Sequence, residues 1–174
     1  MSALFLVPQT ATHSTQILPL LKSGHLLAID PQCRGGLIIC KNHHAELAGP
    51  GAAVGGAFDL TCLKVVPLGD CRFICPNSYE ARQQAYRCRQ EWLERTQQAM
   101  QDAVPLRRAK AILALIAQYF DSQTAESLPD DILAMLVGVF PKTVRMARQL
   151  VNKSEESNVK KRRINPTVIA GTSN

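Results

Sequence analysis

No stretch of this sequence stays apolar long enough to cross a bilayer. The longest, Ala109–Ile116 and Ile132–Phe140, fall well short of the roughly 20 residues a spanning helix needs, so no membrane partner is expected. The opening residues Met-Ser-Ala-Leu-Phe-Leu-Val-Pro have neither a basic n-region nor a long apolar run. No secretory signal is therefore expected, and the cytoplasm is the expected compartment.

Catalytic signatures are also missing. Gly49-Pro50-Gly51 and Val54-Gly55-Gly56 are not phosphate loops, because no Lys-Ser/Thr follows. His43-His44 with Asp59 or Asp70 has no nucleophile placed near it, and a polar β-hairpin tip explains these residues better. The six cysteines, Cys33, Cys40, Cys62, Cys71, Cys75 and Cys88, form no C-x-x-C pair with a matching second pair. Reduced, buried thiols are the first expectation for a cytosolic chain. A redox-responsive Cys88 on an arginine-rich helix is the alternative. No metal, no cofactor and no enzyme are expected.

What the chain does have is a hydrophobic content of 46% over 174 residues, enough to bury a core, and a net charge of +6 placed unevenly. Residues 1–105 carry 9 basic and 8 acidic side chains, whereas 141–174 carries 8 basic and 2 acidic. The excess lies where it could neutralise phosphates, or merely solubilise a tail.

Through 1–76, short apolar pieces such as Leu26–Ile29, Leu37–Cys40 and Leu63–Val66 alternate with Gly, Pro, Asp and Asn, which predicts a small antiparallel β-structure. Gln16–Leu21 reads as a short helix or turn before it. From Tyr79 to Ala103 there is no Gly or Pro, and Ser78 can cap the start, so a long helix is expected. Tyr86, Leu93 and Met100 recur every seven residues beside Ala85, Trp92 and Ala99, giving one apolar stripe. That stripe either packs on the chain's own β-structure or pairs with its twin in a homodimer. Arg82, Arg87, Arg89 and Arg95 are placed on the other faces. Pro105 breaks this helix and a second runs about Leu106–Tyr119, ended by Asp121-Ser122-Gln123-Thr124.

Ser127-Leu128-Pro129-Asp130 then reads as a capping-box-like start to a helix Asp130–Val137, stopped by Gly138. Pro141 opens the next helix, expected to run to about Asn152. Val144, Ala147 and Val151, with Leu150 beside them, form its buried face. Lys142, Thr143, Arg145, Arg148 and Gln149 lie outward. A short helix supporting a second across a three- or four-residue turn is the layout of a helix-turn-helix, whose second helix presents its N-terminal half to the major groove.

In these residues the chain resembles the cyclic-AMP receptor/FNR (Crp-Fnr) family of transcription regulators. Leu128–Gly138 resembles the family's first helix and turn, and Lys142-Thr143-Val144-Arg145 through Leu150 its recognition helix. Gly49-Pro50-Gly51 with Val54-Gly55, and Leu68-Gly69-Asp70-Cys71, resemble its β-roll. The resemblance implies an α+β fold: a β-roll at 1–76, a dimer helix at 77–104, a helix-turn-helix domain at 105–166 and a tail at 167–174. It also implies double-stranded DNA as partner, with a homodimer setting two recognition helices about 34 Å apart. The departures matter. The family's ribose-binding Glu falls on Gly56, its Arg-Ser/Thr pair falls near Thr61-Cys62, and no Arg occurs between Arg34 and Arg72. Burying a cyclic phosphate without a cation is costly, so no cyclic-nucleotide binding is expected. In the recognition helix the usual acid is Lys142, and a frequent Arg falls on Met146. The β-wing shrinks to Val159–Asn165, whose Lys160, Lys161, Arg162 and Arg163 would either grip backbone phosphate as a short tip or form a basic tail. The other functional class is an adaptor that uses the same helices to dock on RNA polymerase, another regulator or a larger assembly.

Overall fold

A computed structural model describes residues 14–164, and its architecture is mixed α+β. Helix α1 (Ser14–Lys22) is followed by six short strands: β1 (Leu26–Ile29), β2 (Gly36–Cys40), β3 (Ala45–Ala48), β4 (Ala53–Gly55), β5 (Lys64–Leu68) and β6 (Phe73–Ile74). A 3₁₀ turn, Gly56–Phe58, separates β4 from β5. The strands form two three-stranded antiparallel sheets, ordered β4-β1-β6 and β3-β2-β5. In the second, β2 pairs Ile38 with Leu47 on one side and with Val66 on the other. All five residues of β2 are buried, as suits a central strand covered on both faces. The breaker-rich pattern marked β1, β2 and β5. It did not mark β4 and β6, whose three and two residues carry too little pattern to read, nor β3, where Leu47 is the one large apolar residue.

Five further helices complete the described chain: α2 (Tyr79–Met100), α3 (Pro105–Tyr119), α4 (Ser122–Ser127), α5 (Asp130–Val137) and α6 (Pro141–Ile164). Ser78 caps α2, its hydroxyl accepting the Ala81 N–H at 3.0 Å. Pro105 sits in the first turn of α3, where its missing N–H costs nothing. The segment expected to end α3 instead starts α4, because the Asp121 carboxylate accepts the Thr124 N–H at 2.5 Å and caps a new turn. Ser127 is consequently the last residue of α4 and not a cap for α5. Pro129 holds the cap position of α5 with no side-chain bond.

One continuous hydrophobic core runs from Ile17 and Leu21 through β1, β2 and β5 to Ile112, Ile116, Leu133, Val144 and Ala147. A single aromatic joint ties its halves together. Trp92 of α2 stacks on Phe120 at 5.7 Å and meets Tyr119 edge-on at 4.9 Å. Arg95 lies over both Trp92 and Tyr119. The joint fits because Gly49 has no side chain: a Cβ there would stand 2.1 Å from the indole.

The α2 stripe divides as the two alternatives for it would suggest. Ala85, Trp92 and Ala99 are buried within the same chain, Ala85 beside Ala28 and Ala53 and Trp92 against Gly49, Tyr119 and Phe120. They are not free for a seam with a second copy, which corrects their assignment to a dimer contact. Tyr86 and Met100 are exposed and Leu93 is half-buried, so that ridge alone faces outward.

Candidate nucleic-acid interface

Helix α5 ends where the sequence said it must. Gly138 adopts a left-handed conformation (φ 59°, ψ 50°) and its N–H is bonded to the Ala134 carbonyl. Only glycine takes that conformation at little cost. After Val139 and Phe140, Pro141 opens α6. Ile132, Leu133, Leu136 and Val137 of α5 are buried, and Val144 and Ala147 of α6 are fully enclosed opposite them. Val151 is half-buried on the same side. Leu150, expected to join that face, is exposed instead. It lies about 60° around the helix from Ala147 and about 120° from Val144, at the margin of the buried row.

The polar residues of α6 do two different things. Lys142, Arg145 and Gln149 are exposed, and Thr143 is half-buried at the start of the helix. The Arg145 side chain retains 69% of its surface and rests 3.5 Å from Asp130. Arg148, expected beside it in a DNA groove, is turned inward. Its Nε donates to Asp130 Oδ1 at 2.9 Å. One Nη donates to the carbonyls of Ala125 (2.8 Å) and Glu126 (3.2 Å), the other to the carbonyl of Leu128 (2.5 Å). Those carbonyls close α4 and lead into α5, and they would otherwise lack partners. Arg148 is a clamp that sets α6 against the loop before α5, and its fork has no donor set left for a base.

The wing is also corrected. The helix expected to end at about Asn152 continues in its backbone through Lys160, Lys161, Arg162 and Arg163 to Ile164, where a reduced wing tip or a basic tail had been expected. Eighteen residues of α-helix place Lys160 about 27 Å along the axis from Lys142. A wing tip must fold back to the same groove, and a helix that continues without a break does not. Asn165, and the tail at 167–174, lie outside the described residues.

A second polar constellation was not visible in the sequence. Arg89, expected on a solvent face of α2, is buried. Its guanidinium bonds to the carboxylate of Glu46, to Asp59 Oδ1 at 3.2 Å and to the Ala53 carbonyl at 3.1 Å. Lys41 Nζ is 2.5 Å from Glu46 Oε1 and 3.8 Å from Asp59. Asp59 is fully enclosed and also accepts the Gly55 N–H at 2.8 Å. Two cations thus balance two carboxylates. Burial by itself would raise the Glu46 carboxyl, but the bonds from Lys41 and Arg89 outweigh it and hold it at about 2. The available signal was spacing: Ala85, Arg89, Trp92, Thr96 and Ala99 recur at i+4, i+7, i+11 and i+14, a helical stripe of its own. His44, at the β2–β3 hairpin, bonds to Glu46 Oε1 at 3.1 Å from an exposed position.

Cys33, Cys40, Cys62 and Cys71 are buried, and all six cysteines are free thiols. Burial pushes the thiols of Cys40 and Cys62 up and that of Cys71 to about 12, so these three stay protonated and unreactive at neutral pH. Cys88 is half-buried on α2, with its sulfur 3.4 Å from the Gln84 amide nitrogen. Among the described residues no three His, Cys, Asp or Glu side chains converge as a metal site would require, and no helix is long and apolar enough to cross a membrane.

Compared with family models, with curated proteins and with solved structures, the chain matches none.

Proposed function

We propose that this chain is a DNA-binding transcription regulator of the Crp-Fnr type, not an enzyme, in which α5 and α6 serve as a helix-turn-helix. The observation that carries the reading is the outer face of α6. Lys142, Arg145 and Gln149 stand exposed on a helix whose opposite side is anchored by Val144, Ala147 and the Arg148 clamp. A rigidly backed helix with cations toward its N-terminal half suits a major groove lined by phosphates. Lys142 and Thr143 would meet backbone or base edges, and Arg145 and Gln149 base edges. The basic run Lys160–Arg163 would contribute charge further along the duplex and not as a wing tip. Arg148 is omitted from the contact set.

The two sheets are read as a degenerate β-roll that takes no cyclic nucleotide. Support comes from Lys41 and Arg89, whose charges are already met by Glu46 and Asp59. An incoming phosphate would have to displace a buried carboxylate from each. A homodimer would use the outward ridge of α2, where Tyr79, Tyr86, Leu93 and Met100 recur every seven residues. A cytoplasmic location completes the reading.

One observation favours the adaptor alternative. Phe140, at the turn before α6, keeps 79% of its surface, and Met146 and Leu150 are also exposed on that helix. Apolar groups so placed can anchor a protein partner such as RNA polymerase or another regulator. Mobility-shift and pull-down assays run on the same sample separate the two. Expected is a retarded duplex, bound by a species that sediments as a dimer, and a loss of retardation in the double variant Lys142→Ala/Arg145→Ala. A stoichiometric protein partner with no retarded duplex would replace this reading with the adaptor.

A further inference from the structure

The middle of the α6 outer face is less cationic than its ends. Arg148 is committed to backbone carbonyls, and Arg145, whose Nε rests 3.5 Å from Asp130, lies to one side of this stretch. Between and beyond them the exposed groups are a thioether, Met146, with 48% of its surface open, and an amide, Gln149. Residues three apart on a helix are neighbours, about 5–6 Å between their Cβ atoms, and on a helix docked in a major groove residues so spaced can meet successive bases. Leu150, four residues after Met146, extends the apolar edge and is also exposed.

Each of these groups matches one base chemistry. A glutamine amide pairs with the N6 donor and N7 acceptor of adenine, and an apolar side chain rests against the C5-methyl of thymine. Guanine is read by a cationic fork, which a thioether cannot supply. The G·C pair shows no methyl group in the major groove. We propose that Met146 and Gln149 select A·T base pairs at the adjacent positions they meet, with Gln149 bonded to adenine and Met146 against a thymine methyl. The proposal rests on the DNA-binding reading above and names its sequence class. Lys142 and Arg145, both exposed on this face, complement the phosphates that flank a major groove.

The test starts from fragments that the full-length chain retains out of a random duplex library. A·T pairs are expected at the positions under Met146 and Gln149. Replacing the contacted thymine by deoxyuridine removes only the methyl and is expected to weaken binding about four-fold, the worth of one buried methyl group. The Met146→Ala variant is expected to bind the thymine and uracil duplexes equally. Gln149→Ala is expected to lose preference for adenine at the adjacent pair by on the order of ten-fold. Both side chains face solvent, so the variants are expected to melt with the wild type, which a thermal scan checks. Retained fragments with G·C pairs at the positions under Met146 and Gln149, or a uracil duplex bound as tightly as its thymine parent, would overturn the A·T proposal while leaving DNA binding intact. No retained fragment at any salt concentration would remove both.

Discussion

The two longest helices of this protein use arginine in opposite ways. On α2 the decisive arginine, Arg89, points inward and is quenched by Glu46 and Asp59, 43 and 30 residues away. On α6, Arg148 is drawn inward by carbonyls while Arg145, three residues earlier, keeps most of its surface. Charge counted along a sequence therefore does not measure charge available to a ligand. A buried arginine with matched carboxylates holds elements together; an exposed one on a well-backed helix can meet a phosphate.

The sharpest way to break this comparison is to remove the inward arginine of α2. Arg89→Ala leaves Lys41 as the one cation beside two carboxylates, of which Asp59 is fully buried, and is expected to cost up to about 3–5 kcal/mol, read as a lower midpoint in urea denaturation. Adding Glu46→Gln and Asp59→Asn to that variant is expected to restore part of the loss. If Arg89→Ala unfolds with the wild type, the clasp is decorative.

Acid tests the same cluster from its other side. The folded pKa of Glu46, about 2, lies below its ordinary value of 4.5. A depressed carboxyl stabilises the fold above its unfolded pKa and loses that contribution as pH falls through its folded one. Stability is therefore expected to be flat from neutrality to about pH 5 and to drop by up to about 3 kcal/mol toward pH 2. In Glu46→Gln this part of the acid loss is expected to disappear.

A smaller effect divides the two arginines of α6. Arg148→Ala strips the partner from three carbonyls and is expected to destabilise by about 1–3 kcal/mol. Arg145→Ala removes only a solvent-exposed contact and is expected to move stability by less than about 0.5 kcal/mol. Equal denaturation midpoints for the two variants would erase the distinction drawn between clamp and contact.

The C-terminal helices were largely legible in the sequence because their signals are local. Gly138, Pro141 and the spacing of Ile132, Leu133, Val144 and Ala147 each act within a turn or two. The Arg148 clamp was not legible, since it depends on where the carbonyls of Ala125, Glu126 and Leu128 come to lie around a helix, α4, that the sequence hid. Helix α6 outran its expected end because Lys153 to Ile164 contains no Gly or Pro to stop it. The ionic clasp needs three strands and a helix to meet, and a pattern read within one helix window placed Arg89 on the wrong face. Charged residues are seldom buried, and that prior hid the exception.

The most direct measurement is the affinity of the full-length chain for duplex DNA across a series of salt concentrations, with Lys142→Ala/Arg145→Ala alongside. Binding that weakens linearly as the logarithm of salt rises, with a shallower slope in the variant, is expected if the outer face of α6 releases counterions from phosphates. Affinity indifferent to salt, or an identical slope in the variant, would contradict it.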